Sequence, residues 1–123
     1  AHLEREIENP DFHMSAQTKL LCAEPGKYGY QYLGNGTVSI TRESITYNGC
    51  VNGEEKTLEY AMKNILMVPY AAGEYIEVAK GADISRFVFD DLRQQIKWVM
   101  AVRQIRDKYY EKSVHAQQGV NNG

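Results

Sequence analysis

From Tyr28 to Tyr60 apolar and polar residues alternate with a period of two, the repeat of strands that bury one face. Gly34-Asn35-Gly36, Arg42-Glu43 and Asn52-Gly53 interrupt the alternation with turn chemistry. Centring hairpins there predicts strands over 28–33, 37–41, 44–51 and 54–60. Tyr30, Ile40, Ile45 and Tyr60 then form one cross-strand row, and Tyr32, Val38, Tyr47 and Leu58 the next. The rows fix the register, because a one-residue slip would turn every side chain to the opposite face. A turn centred on Asn48-Gly49 would set Ile45 against Asn52, so that pair is assigned to a bulge or bend. On this reading Tyr30 and Tyr32 of the first strand are core, and Tyr28 sits opposite Arg42 at the sheet margin.

After a crossover at 61–65, strands are predicted over 66–70, 75–80 and 85–89, with turns at Ala72-Gly73 and around Gly81-Ala82. A four-residue loop at 80–85 pairs Val78 with Phe87 and Ile76 with Phe89. Pro69 marks its strand as an edge or a bend. The period then changes to that of a helix. Leu92, Ile96, Val99, Val102 and Ile105 form an apolar stripe, broadened by Trp98 and Met100, in a helix reaching about Lys112. Asp91 with Gln94 three positions on is a capping-box signature. Residues 1–27 read as an N-terminal extension, partly helical, with a short helix over 15–22. Residues 28–112 form the folded unit, and 113–123 read as a disordered tail. The expected fold is mainly β with a C-terminal helix: two orthogonal antiparallel sheets of 4 + 3 strands capped by one α-helix.

The 123 residues fit one domain, and 43% apolar with 24% charged residues is ordinary for a globular chain. A net charge of −2 gives no global attraction to nucleic acid or to an anionic bilayer. Cys22 and Cys50 show no paired spacing and read as reduced thiols of a cytoplasmic protein. No nucleophile–base pair, phosphate loop or metal-ligand spacing occurs, so no catalytic, metal or cofactor residue is assigned.

Gly36-Thr37-Val38-Ser39-Ile40-Thr41-Arg42-Glu43-Ser44-Ile45-Thr46-Tyr47 resembles the second and third strands of the pleckstrin-homology (PH) superfamily, including its bacterial and GRAM-type members. Leu58–Ile65 is similar to that family's crossover. Phe87-Val88-Phe89-Asp90-Asp91 with Ile96-Lys97-Trp98-Val99 is similar to its ending, where a tryptophan plugs the barrel. The resemblance covers about residues 28–110 and implies a PH-like barrel. In lipid-binding members, Lys and Arg cluster in and beside the first hairpin loop. This chain has Gly34-Asn35-Gly36 there, with only Lys27 and Arg42 near the far strand ends, a departure from phosphoinositide recognition.

A narrower resemblance, carried by residues 30–38 and Trp98, is to domains that follow the catalytic part of Firmicute 1-acylglycerol-3-phosphate acyltransferases. The His-to-Asp spacing of that enzyme class is absent: His2, His13 and His115 are followed five positions later by Ile7, Thr18 and Val120. The resemblance therefore implies an accessory module. Its expected contact surface is the edge at Val68, Pro69 and Tyr70 together with Lys97, Arg103 and Arg106 of the basic helix. The expected partner is a protein, the parent's own catalytic domain, a second copy or the inner membrane surface, with no role for nucleic acid. Two other readings stay open: a small lipid or ligand carrier with a pocket in the barrel, and a stand-alone enzyme of unrecognised type.

Overall fold

A computed structural model describes residues 2–70 and 73–111, with side chains for 5–65, 75–79 and 81–110. The order is helix α1 (His2–Glu8), strands β1 (Met14–Ala23), β2 (Gln31–Ile40), β3 (Ser44–Val51) and β4 (Glu54–Ala61), and a 3₁₀ turn at Met62–Asn64. Strands β5 (Ile65–Tyr70), β6 (Gly73–Lys80) and β7 (Asp83–Val88) follow, then helix α2 (Leu92–Arg106) and a π-helical turn at Asp107–Glu111. Four strands and three strands form two antiparallel meanders, joined by β1 pairing with β7. The order across the sheet is β4-β3-β2-β1-β7-β6-β5. The fold class is the one the sequence predicts, mainly β with one C-terminal helix, but its strands are drawn differently from the chain.

The segment expected to hold a helix over 15–22 is β1, which pairs with β2 from Met14 to Cys22 and with β7 from Lys19 to Ala23. Its inward residues Ala16, Thr18, Leu20 and Cys22 alternate with the outward Ser15, Gln17, Lys19 and Leu21 as a half-buried strand requires. The two strands expected over 28–33 and 37–41 are one strand, β2. Gly34-Asn35-Gly36 is not a turn, so Tyr30 does not face Ile40 and Tyr32 does not face Val38. Instead Ile40 lies between Met14 and Ile45, and Val38 between Ala16 and Tyr47.

The reason is steric. Gly36 and Gly49 are direct partners on the inward side, where a Cβ on Gly36 would lie 2.7 Å from the Tyr47 ring. The missing side chains make room for Tyr47, which is fully buried and donates its hydroxyl to the Cys50 carbonyl at 2.8 Å. Asn48-Gly49 carries no bulge; the ladder runs regularly through it, and the irregularity lies in the β1–β2 pairing, where Leu33 of β2 is skipped opposite Leu20 and Leu21.

The other two hairpins form as read. Ile40–Ile45–Tyr60 and Val38–Tyr47–Leu58 hold as rows. The Thr41 hydroxyl accepts from the Glu43 and Ser44 amides to close the first turn. Asn52 and Gly53, with φ of 54° and 85°, close the second. In the second meander the turn is the two residues Gly81-Ala82, not a four-residue loop, so Ile76 faces Phe87 and Val78 faces Ser85. A slip of two residues preserves which face each side chain takes, so the burial pattern could not exclude it. Phe89 lies past the strand, its ring 5.1 Å from that of Trp98.

Helix α2 covers the core with Trp98, Val99, Ala101, Val102 and Ile105. Asp91 caps it, accepting from the Arg93 amide at 2.9 Å. The α1 side adds Ile7 and Phe12 to the same core. Glu8 pairs with Lys108 at 3.0 Å, the Tyr109 hydroxyl reaches the Ile7 carbonyl, and the Tyr110 hydroxyl reaches the Arg42 carbonyl at 2.9 Å.

Two outcomes follow. Gly36→Val overpacks the space held by Tyr47 and is expected to cost about 1–3 kcal/mol in urea unfolding; unchanged stability would refute the steric role. Burial pushes the Tyr47 phenol up to about 12 from the ordinary tyrosine value of about 10. The folded state thus holds that proton where the unfolded chain releases it, so stability falls as pH rises from about 10 towards about 12. Tyrosinate absorbance should show a late-titrating phenol that Tyr47→Phe removes.

Candidate interaction surface

The inward arc of α2 holds Gln95, Trp98, Val99, Ala101, Val102 and Ile105. Gln95 takes an interior position because its Oε1 accepts the Phe89 amide at 3.1 Å, satisfying a buried donor just before the helix. The helix is thereby rotated from the expected stripe. Leu92 and Ile96, expected in the core, are 57% and 46% exposed, and Met100 is 47% exposed. Spaced four apart, these three residues form one apolar line on the outer face. Arg93 and Lys97 flank it, both exposed, and neither side chain is paired with a carboxylate among the described residues. Asp90 and Asp91 are exposed at its N-terminal end, and Asp90 lies 3.6 Å from Lys19.

A second constellation lies on the outer face of β6 and β7. Glu77 is 1% exposed, and its Oε2 accepts from Arg86 Nε and from the Tyr30 hydroxyl, each at 2.6 Å. The Arg86 guanidinium stacks 3.8 Å from the Tyr30 ring centroid and 4.3 Å from that of Tyr75. Burial, then the hydrogen bond to Glu77, raises the pKa of the Tyr30 phenol. Through these contacts the box pins the β1–β2 connection to the sheet. Tyr30, expected in the core row with Ile40, Ile45 and Tyr60, lies outside the core.

Tyr32, also expected in the core, is 57% exposed, with its hydroxyl on Asn35 Oδ1 at 2.7 Å. Tyr28 is fully exposed. The true first hairpin connection is 24–30, and its one basic residue, Lys27, is tied to Glu24 at 2.9 Å. That pairing raises the pKa of the Lys27 ammonium and spends its charge locally.

Of the expected contact residues, Lys97 and Arg103 are exposed on α2, while Arg106 is half-buried. Val68, Pro69 and Tyr70 lie on edge strand β5, with Pro69 opposite Glu74, but their side chains fall outside the described residues. The structure does not bring the two groups into one described surface.

Large side chains occupy the interior where a carrier pocket would lie. Trp98, Tyr47, Phe87, Ile40, Ile45, Met62 and Ile76 fill the interior. A shallow cleft of about 180 Å³ lies instead at the β3–β4 edge, lined by Asn48, Gly49, Glu55, Lys56 and Thr57. No group of three or more potential metal ligands occurs among the described residues. None of the described helices is long and apolar enough to cross a membrane.

The exposed α2 line and the Glu77–Arg86 box both escaped the pattern of hydrophobic positions. Charge pairing was the available signal for the box: only the two-residue turn at 81–82 sets Glu77 directly against Arg86.

No protein-family model matches the chain, and no curated protein does. Solved structures do. The PH domain of ArhGAP27 superposes with a TM-score of 0.55 at 6% identity, over 76% of this chain and 97% of that one. A Vav1 exchange-factor structure containing PH and C1 domains gives 0.55 at 8% identity, over 82% of this chain and 28% of the Vav1 chain. A chain of the 8S snRNP assembly intermediate gives 0.53 at 12% identity, over 76% of this chain and 80% of that one. The fold is PH-like.

Removing one partner of the box tests it. Arg86→Ala leaves the buried Glu77 carboxylate without its cation and with only the Tyr30 hydroxyl as donor, with an expected loss of about 3–5 kcal/mol in urea unfolding. Glu77→Leu combined with Arg86→Met should recover most of that loss. A double variant no more stable than Arg86→Ala would contradict the account.

Proposed function

We propose that this chain is a non-catalytic interaction module whose contact surface is the outer face of α2. The observation that carries the reading is the apolar line Leu92–Ile96–Met100, turned to solvent beside Arg93 and Lys97 on a rigid, well-packed helix. A helix that buries Gln95 and exposes Ile96 has its apolar residues arranged for two surfaces, and only one is covered by its own core. The PH-like fold supports the reading by analogy alone. The free edge of β5 is a second place where a partner strand could add, through backbone groups.

The likeness of residues 30–38 to acyltransferase accessory domains supplies a context within this reading: a module beside a phospholipid acyltransferase domain, meeting its partner within the same polypeptide or at the inner membrane surface. Cys22 on β1 and Cys50 on β3, both free thiols, accord with a reducing cytoplasmic setting.

Photo-crosslinking in the source cells tests the surface. Benzoylphenylalanine at position 96 should give a discrete adduct that Met100→Asp abolishes. The same probe at Thr57, on the exposed polar side of β4, should give none. Equal labelling from 96 and 57, or none from 96, would sink the proposal.

A further inference from the structure

We infer that the occupant of the α2 outer face is an acidic amphipathic helix of a partner protein. The inference rests on the reading above that this face is the module's contact surface.

The apolar line runs over nine residues, a rise of about 12 Å along the helix. That is the footprint of one side of a partner helix with apolar residues at i, i+3/4 and i+7. The flank decides the partner's charge. Arg93 and Lys97 stand one position after Leu92 and Ile96, so both lie on the same side of the line. Carboxylates along one flank of a docked helix would meet them both. At the N-terminal end Asp90 and Asp91 reverse the sign, which suits a cation at the corresponding end of the partner.

The two other occupants fit less well. An anionic bilayer would meet the exposed Asp90 and Asp91 at the depth where Leu92 must insert, on a chain with a net charge of −2. The line also holds no aromatic residue to sit at the headgroup level. A second copy pairing antiparallel about Ile96, the arrangement helix dipoles favour, would bring the Arg93–Lys97 flank of one copy against the same flank of the other. Like charges would then line one side of the interface.

The test uses the full, isotope-labelled chain and two designed helical peptides. Both carry leucines at i, i+3/4 and i+7; one has glutamates on its flanks, and the other has lysines in their place. The acidic peptide should shift the backbone amides of 92–100 and bind about tenfold tighter than the basic one, as two paired charges allow. Arg93→Glu with Lys97→Glu should reverse that preference, and Ile96→Asp should abolish binding of both. Equal binding of the two peptides, or of neither, overturns the inference. So does Ile96-dependent binding to phosphatidylglycerol vesicles without peptide binding, or an Ile96-dependent dimer in sedimentation. A crosslink from position 96 with no preference for the acidic peptide removes the acidic helix and leaves the contact surface standing. Loss of both removes both.

Discussion

The fold depends on β1 being hydrogen-bonded along both of its edges. One edge holds β2 and the other holds β7, so a four-strand meander and a three-strand meander become one sheet around one core. Without β1, the strands on either side would each present an open edge and half a hydrophobic face. The inward residues of this one strand, Ala16, Leu20 and Cys22, accordingly lie near the middle of the sheet's covered side. Helix α2 then closes what the sheet encloses, with Trp98 as its largest contribution.

That central strand is also what the alternation of residues least reveals. Ser15, Gln17 and Lys19 alternate with Ala16, Thr18 and Leu20, but Ala16 and Thr18 are weak apolar markers, and the pattern is faint beside the tyrosine-rich stretch after it. Gly34-Asn35-Gly36 misled for a clearer reason. Turn chemistry and room for a neighbouring ring both select glycine, and only the position of Tyr47 separates them. Where a turn required positive φ, as at Asn52-Gly53, or a hydroxyl accepting from the turn amides, as at Thr41–Ser44, local sequence was sufficient. The helix, its Asp91 cap and the burial of Trp98 were legible for the same reason: they follow from local periodicity and capping.

The contact surface was only partly legible. Lys97 and Arg103 were readable as exposed charge on a basic helix. The exposure of Leu92 and Ile96 was not, because a broad apolar arc does not say which part of it the core will take. Gln95 decides that, through a hydrogen bond to a backbone amide that exists only once β7 and α2 are joined at their observed angle. A polar residue with a specific partner thus sets the rotation of a helix whose apolar residues alone would allow several.

The contacts of Glu8 with Lys108 and of Tyr109 with Ile7 have a consequence for how this unit would sit in a longer polypeptide. Helix α1 and the π-helical turn at Asp107–Glu111 lie side by side on the surface. A tensile load applied through those two elements would act across α1 and the end of α2 first, and the hydrogen-bonded strands would lie outside its direct path. The contacts between α1 and the end of α2 would carry that load before any strand of the sheet did.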